Sequence, residues 1–399
     1  FKMEFIFLNM QYITKNYNPL PIIFKRGKGI FLSTRNNKKY FDCISGYSAL
    51  NQGHVHPHIR KEMTKQLKKL TLTSRALMNK ELIDLSEKMT HLFNYDQLLM
   101  MNTGVEGGES ALKIARAWGY KSKNIPTDSA THLFCNNNFW GRTLSACSSS
   151  TDPECYENFG PKMEGMKNIE YGNSNELEKN LKENPNIVSF MLEPIQGEAG
   201  VIIPPKNYLQ EVKYLCNKYN VLMIVDEVQT GLGRTGKMLA CDYENVQPDL
   251  LVLGKALSGG FYPVSSVLGN NEIMDVLTPG THGSTFGGNP LACVVANAAL
   301  DVIIDNNLTD NAYKKGNFFR NEIKLIQNKH IKEIRGKGLL NAVETYDNKY
   351  AEELHRKLLK NKILTKITHG NKIRISPPLT ITNKEMYKLL EKFKRSMIL

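Results

Sequence analysis

The chain contains no apolar run approaching the roughly 20 residues that a membrane-spanning helix requires. Its most hydrophobic stretches, Val221–Val225 and Leu250–Leu253, have only strand length, so a membrane-embedded protein is excluded at this stage. It also lacks any C-x-x-C pair, and its seven cysteines are odd in number and thinly scattered through 399 residues. That pattern argues against a disulfide framework and against a zinc site, and it points to a reducing compartment. No fixed repeat and no long low-complexity stretch is present, which leaves solenoids and extended linkers aside. The N-terminus shows neither a basic-then-apolar signal with a small-residue cleavage site nor an Arg-rich transit helix. Cytoplasm is the expectation, and the start at Phe1 rather than Met keeps open a trimmed leading segment and hence the mitochondrial matrix.

What the chain does contain suits a globular fold. Hydrophobic residues make up 41% and charged residues 23%, and at roughly 100–200 residues per domain the length suggests two or three domains. Lys and Arg number 52 against 39 Asp and Glu, a formal balance of +13. The basic residues are dispersed, rarely exceeding doublets such as Lys38-Lys39 and Lys68-Lys69, and read as a solvated surface. No nucleic-acid or membrane partner is therefore expected.

Residues 19–45 read as short β elements: Pro19–Phe24, then Gly29–Leu32, then Lys39–Asp42, with Asn36-Asn37 as a turn. Residues 76–93 place Leu77, Leu82, Leu85, Met89 and Leu92 at helical spacing. From about residue 98, strands and helices alternate, and the strands are continuously apolar. The expected class is α/β: a large domain with a mostly parallel sheet covered by helices, plus a smaller α+β domain. Asn289-Pro290 reads as an N-cap followed by proline at the first helical position. The expected boundaries are residues 1–46 as a segment joining the small domain, 47–292 as the large domain and 293–399 as the small one.

In open parallel sheets, ligands sit at the carboxyl ends of strands. Val221–Val225 runs into Asp226-Glu227, and Leu250–Leu253 runs into Gly254-Lys255. An acid and a lysine just past two buried strands are candidates to face each other. Pyridoxal phosphate needs that pair, a lysine as its Schiff base and an acid opposite its pyridinium nitrogen. Taken alone, Asp226 would be a strand-end cap and Lys255 a surface lysine. Asn102-Thr-Gly-Val-Glu-Gly-Gly-Glu-Ser110 follows a strand and opens a helix, a cradle for a phosphate. Thr281–Gly288 is a second small, hydroxyl-rich loop, and Phe139-Trp140-Gly141-Arg142 offers a ring to stack and a guanidinium for a carboxylate.

These segments resemble the class-III, fold-type-I pyridoxal-phosphate-dependent aminotransferases, and within them the branch that transaminates ornithine. Leu192-Glu-Pro-Ile-Gln-Gly-Glu198, Tyr262–Ser265, Asn16–Pro21, Tyr47–His54, Leu70–Arg75, Ser148–Pro153 and Thr368–Gly370 extend the likeness over nearly the whole chain. The resemblance implies transfer of the δ-amino group of L-ornithine to 2-oxoglutarate, giving glutamate 5-semialdehyde, which cyclises, and glutamate. Lys255 would carry the cofactor and then shuttle a proton, and Asp226 would pair with the ring nitrogen. Phe139 and Val228 would flank the ring, with Gln229 by its hydroxyl. Gly104, Val105 and Thr285 would hold the phosphate, Thr285 and Ser284 arriving from the second subunit of a homodimer. Tyr17 and Arg142 would hold ornithine's α-carboxylate and Tyr47 would shape the pocket. Arg374 would grip the α-carboxylate of glutamate, with Glu198 paired to it as a gate. Between Gly338 and Thr368 the chain is a little shorter than the family pattern, and Gly108 departs conservatively; neither touches the chemistry.

Other readings remain beside this one. Acetylornithine or 4-aminobutyrate are alternative substrates, and a basic binding protein retaining the fold is the non-enzyme alternative. Gly231-Leu-Gly-Arg-Thr-Gly236 matches a dinucleotide fingerprint, but Asp226–Thr230 separates it from the strand and no helical stripe follows. His54, His56 and His58 read as a loop around Pro57, without a metal. Cys147 and Cys155 flank a turn at Asp152-Pro153 and are expected to be exposed near Arg142. Two readings stand for them, free thiols without a role or a redox-sensitive pair open to a dithiol reductant.

Overall fold

The computed structural model describes residues 12–398. Strands β1 (Phe24–Lys28), β2 (Phe31–Thr34) and β3 (Lys39–Asp42) form an antiparallel meander. The first strand begins five residues later than Pro19, because Pro19 and Pro21 bring no N–H donor to a ladder. The helix expected from residue 76 runs Lys80–Phe93 instead, since the Asn79 side chain accepts from Leu82 N at 2.8 Å and caps it there. Leu77 is left outside, 63% exposed.

Seven strands build the central sheet: β4 (Gln97–Met101), β5 (Thr131–Cys135), β6 (Met166–Ile169), β7 (Ile187–Leu192), β8 (Leu222–Asp226), β9 (Leu250–Leu253) and β10 (Ser265–Gly269). Their spatial order is β4-β10-β9-β8-β7-β5-β6. All neighbours are parallel except β10, which is antiparallel to both β4 and β9. Every residue of β7, β8 and β9 is buried, which is why these strands are predominantly apolar, with Ser189 inside β7 and Asp226 at the end of β8 as exceptions, and do not alternate. Because β10 alone is reversed, β4 runs in the same sense as β5, β7, β8 and β9. The residues that follow those five strands therefore emerge at one edge of the sheet.

The last third of the chain adds β11 (Ile331–Lys337), β12 (Leu340–Thr345), β14 (Lys366–Thr368) and β15 (Lys372–Ile375) in a second antiparallel sheet. The two-residue β13 (Ile363–Leu364) pairs instead with β3, so Phe41 lies beside Ile363 across 322 residues of sequence. Asn289 caps the helix Pro290–Asp305, its side chain accepting from Ala292 N at 2.9 Å, with Pro290 at the first helical position. No single helix among the described residues is long and apolar enough to cross a membrane.

Candidate active site

A cavity of about 210 Å³ opens at that shared edge, lined among others by Gly104, Val105, Phe139, Glu193, Asp226, Val228, Gln229 and Lys255. These residues come from the carboxyl ends of five strands, β4, β5, β7, β8 and β9, and the segments that follow them. Asp226 ends β8 with Val252 beside it in register, and Lys255 follows β9 by two residues. The helix Gly104–Lys121 starts directly after β4, with Thr103 and Glu106 forming a reciprocal cap. Its first N–H groups have no intrahelical acceptor, and they meet the cavity at Gly104 and Val105. A Cβ on Gly104 would come within 2.8 Å of Val228, so only glycine lets the helix start this close to the cavity wall.

The electrostatics follow from burial. Asp226 is 6% exposed, and desolvation pushes its carboxyl up to about 6, against the pull of the Val228 N–H at 2.8 Å and of Lys255. Burial lowers Lys255 below the usual lysine range, although Glu198, Asp226 and Glu193 oppose the change. The amine is thereby brought nearer to neutrality, the form that attacks a carbonyl or accepts a proton. Burial raises Tyr47, as does the neighbouring charge of Glu198. Tyr47 adopts φ +57°, a left-handed conformation unusual for an aromatic residue, and its carbonyl accepts from Gln229 Nε2 at 3.3 Å.

Above the cavity, Arg374 Nη1 meets Glu198 Oε1 at 2.6 Å, with the guanidinium 5.5 Å over the Tyr47 ring. Burial on its own would raise Glu198, but Arg374 and Lys255 together hold it below the usual carboxylate range. Arg142 is exposed, its guanidinium 5.6 Å over the Phe139 ring, and Tyr17 is 69% exposed but near enough to act on Tyr47. Ser284 and Thr285 do not line the cavity of their own chain. Ser284 Oγ accepts from Asn102 Nδ2 at 2.8 Å, and Thr285 is exposed.

Two other sequence readings change. Cys147 and Cys155 are 8% and 4% exposed, not open in a loop. The short helices Leu144–Ser148 and Pro153–Tyr156 pack together and turn both thiols inward, with Sγ–Sγ at 3.5 Å. Pro57 does not hold His58 in a loop; it opens the helix Pro57–Gln66, on which His58 sits. His54 pairs with Asp42 at 2.7 Å, and no metal-ligating cluster occurs among the described residues. The glycine-rich stretch Gly231–Gly236 forms turns rather than a strand-to-helix link, and its Arg234 is fully buried on Asn51, Leu339 and Pro377.

Glu193 is the cavity residue that sequence reasoning left without a role. It ends the apolar run of β7 as Asp226 ends that of β8, and this parallel was the available signal. Burial and the nearby Asp226 push its carboxyl up to about 8. A carboxyl raised from about 4.5 to about 8 on folding binds more protons in the native than in the unfolded state. Native stability then falls as pH rises through that interval. In the cofactor-free protein, Glu193→Gln should therefore gain in Tm relative to wild type between pH 5 and pH 8, flattening the profile; parallel Tm curves would contradict the raised carboxyl.

The cavity residues fit pyridoxal phosphate on structural grounds. A buried lysine and a buried acid share one floor, a helix N-terminus meets the same space, and Gln229 Oε1 is buried without a partner. Comparison with known proteins agrees. Residues 12–397 match the family model described as Aminotransferase class-III. The chain is 52% identical over 388 residues to "Ornithine aminotransferase, mitochondrial" of Drosophila melanogaster, covering 97% of this chain and 90% of that one. A Toxoplasma gondii ornithine aminotransferase, crystallized in the presence of oxidized glutathione and described with partial occupancy of PLP, superposes with a TM-score of 0.98 at 47% identity, covering 100% and 94%. A Plasmodium falciparum ornithine delta-aminotransferase, described under redox regulation, gives 0.90 at 42% identity, covering 100% and 98%.

Proposed function

From the premise that the chain belongs to the class-III aminotransferases, we infer that it transfers the δ-amino group of L-ornithine to 2-oxoglutarate. Pyridoxal phosphate is its cofactor, and when bound it supplies an electron sink for negative charge on the substrate carbon. The observation that carries the ornithine reading is the Glu198–Arg374 pair at 2.6 Å, set directly over the Lys255–Asp226 floor. A pocket that accepts an ω-amine from one substrate and an α-amine from another needs a cation that can be covered or free. Glu198 covers Arg374 while ornithine is held by Tyr17 and Arg142, and it releases Arg374 to an incoming 2-oxoglutarate or glutamate carboxylate. A buried ion pair suits that exchange because its Coulombic gain is largely offset by desolvation.

The remaining roles fall to the cavity side chains. Lys255 would hold the cofactor, and its amine, lowered by burial, takes and returns the substrate proton at Nζ. Asp226 would sit opposite the ring nitrogen, Phe139 and Val228 on the two ring faces, Gln229 by the ring hydroxyl, and Gly104 and Val105 at the phosphate. Tyr47 narrows the pocket beside the gate and favours ornithine over acetylornithine and 4-aminobutyrate. The three substrates, offered in turn to the cofactor-loaded protein, test this reading. Ornithine should bleach the visible absorbance fastest; a faster response to either competitor would overturn the assignment.

A second copy of the chain completes the site in this reading. Leu67, Leu70, Leu72, Leu77, Met78 and Ile83 are exposed apolar side chains close together in the chain, and Phe286, beside Thr285, is another, the kind of apolar surface that marks a protein–protein contact. Covering them in a homodimer would carry Ser284 and Thr285 toward the partner's phosphate. Light scattering should return a dimer, and a monomer with undiminished activity would refute the shared site. The mitochondrial names of relatives such as the Drosophila protein support the matrix over the cytoplasm.

For Cys147 and Cys155 the redox-sensitive reading gains from their 3.5 Å separation, since a bond at about 2.05 Å requires only a small approach. Burial raises Cys147 to about 11, so the thiolate is scarce and the reaction slow. Oxidant should lower activity, a dithiol should restore it, and Cys155→Ser should be indifferent to both. Identical activity of wild type and variant under oxidant would leave the pair without a role.

A further inference from the structure

We propose that Glu193 is a positioning residue that couples the ring-stacking loop to the carboxylate gate, holding Phe139 with one carboxyl oxygen and Gly197 with the other. This rests on the reading of the cavity given under Proposed function. Oε1 accepts from the Phe139 N–H at 3.1 Å, and Oε2 accepts from the Gly197 N–H at 3.1 Å. Phe139 carries the ring that faces the cofactor space. Gly197 immediately precedes Glu198, and its carbonyl accepts from Arg374 Nη1 at 3.1 Å, the same atom that meets Glu198. One side chain thereby stands between the wall that holds the cofactor ring and the pair that sorts substrate carboxylates.

Only a carboxyl group offers an acceptor oxygen to both ends. Glutamine has a single acceptor oxygen and would turn its NH2 toward one of the two N–H donors. Alanine would leave both N–H groups without their acceptor, and a buried unsatisfied donor is costly. The turn is close-packed against Gln229: a Cβ on Gly197 would lie 1.5 Å from Gln229 Oε1. An acid in this place is itself expensive, being buried near Asp226. A purely packing role would be met more cheaply by an apolar side chain. Gln196 Nε2 also braces the turn by donating to Asn136 O at 2.7 Å, outside the Glu193 carboxylate, so the loop keeps a tether when Glu193 is changed.

The test compares single substitutions by two readouts. The first is the affinity of the cofactor-free protein for pyridoxal phosphate, followed by quenching of protein fluorescence. The second is the ratio of δ- to α-transamination of ornithine, read from the two different cyclised products. Phe139→Leu should move only the first, and Glu198→Ala only the second. Glu193→Ala should move both by about tenfold, the factor that corresponds to losing one hydrogen bond at each end. Glu193→Gln, which keeps the volume and one acceptor, should move at least one of them. Circular dichroism confirms that the variants are folded, and if the alanine variant is not, the glutamine variant decides. Both readouts within twofold of wild type in a folded Glu193 variant would overturn the proposal. A wild-type protein that fails to bind the cofactor would instead overturn the reading on which it rests.

Discussion

Lys255→Ala should fold, bind cofactor non-covalently and lose ornithine turnover by at least ~1000-fold, because it removes a nucleophile and a proton carrier in one change. Lys255 follows β9 by two residues and has φ +41°, so its side chain is delivered to the cavity by a tight turn after Gly254. Asp226 and Glu193 face the same cavity as acids, and neither can serve as the amine. Turnover is measured as semialdehyde formation, and cofactor retention by the absorbance of the purified variant. A rate within tenfold of wild type would remove Lys255 from its role. Loss of cofactor and of fold together would instead show a structural defect, which thermal unfolding distinguishes.

Glu198→Ala should separate the two half-reactions. With the carboxylate gone, Arg374 stays uncovered beside Tyr47 and captures ornithine's α-carboxylate, presenting the α-amine to the reactive centre. The expected result is that reaction with glutamate is kept or improved, while δ-selectivity toward ornithine falls by on the order of tenfold or more. That factor corresponds to about 1.4 kcal/mol between two binding modes. The pair is placed to do this: Arg374 is 7% and Glu198 23% exposed at the side chain, so the guanidinium competes for carboxylates in a largely dry setting. Stopped-flow measurement of each half-reaction decides the matter. Equal losses on both sides would mean that the pair only braces β15 against the turn after β7.

Much of the large sheet was legible because its strands obey a strong local rule. β7, β8 and β9 are buried on both faces, so their sequences are apolar runs, broken only by Ser189, that end abruptly in Glu193, Asp226 and Gly254-Lys255. The cap of the helix Pro290–Asp305 was legible for a similar reason, since Asn289-Pro290 is a local signal with a local cause. Element edges were less so. Phe24 opens β1 in place of Pro19, because backbone donors matter there more than apolar character, and Asn79 displaces the helix start that Leu77 suggested.

The thiols show a different failure. Asp152-Pro153, expected as a turn, opens the short helix Pro153–Tyr156, the Asp152 side chain accepting from Glu154 N at 3.1 Å. Yet a turn does not state which way its flanking side chains point. Two short helices packed face to face bury Cys147 and Cys155, and no spacing in the sequence encodes that contact. Glu193 was missed because its two partners, Phe139 and Gly197, are main-chain groups, and a main-chain N–H carries no residue identity to be read.

The sequence by itself determined that Val221–Val225 and Leu250–Leu253 mark buried strands, that an acid and a lysine stand at their ends, and that a helix opens with free N–H groups within Asn102–Ser110. These are short-range consequences of hydrophobic periodicity and capping, and each needs only a few neighbouring residues. Tertiary structure alone decided that β10 is reversed between β4 and β9, which keeps the turns after five strands at one edge. It also decided that Arg374, from a different sheet, reaches Glu198 across 176 residues, and that Glu193 links Phe139 to Gly197. Such contacts depend on strand order and on which backbone groups remain unpaired after the sheets form. Those quantities are settled by the packing of the whole chain, and no local pattern of side chains carries them.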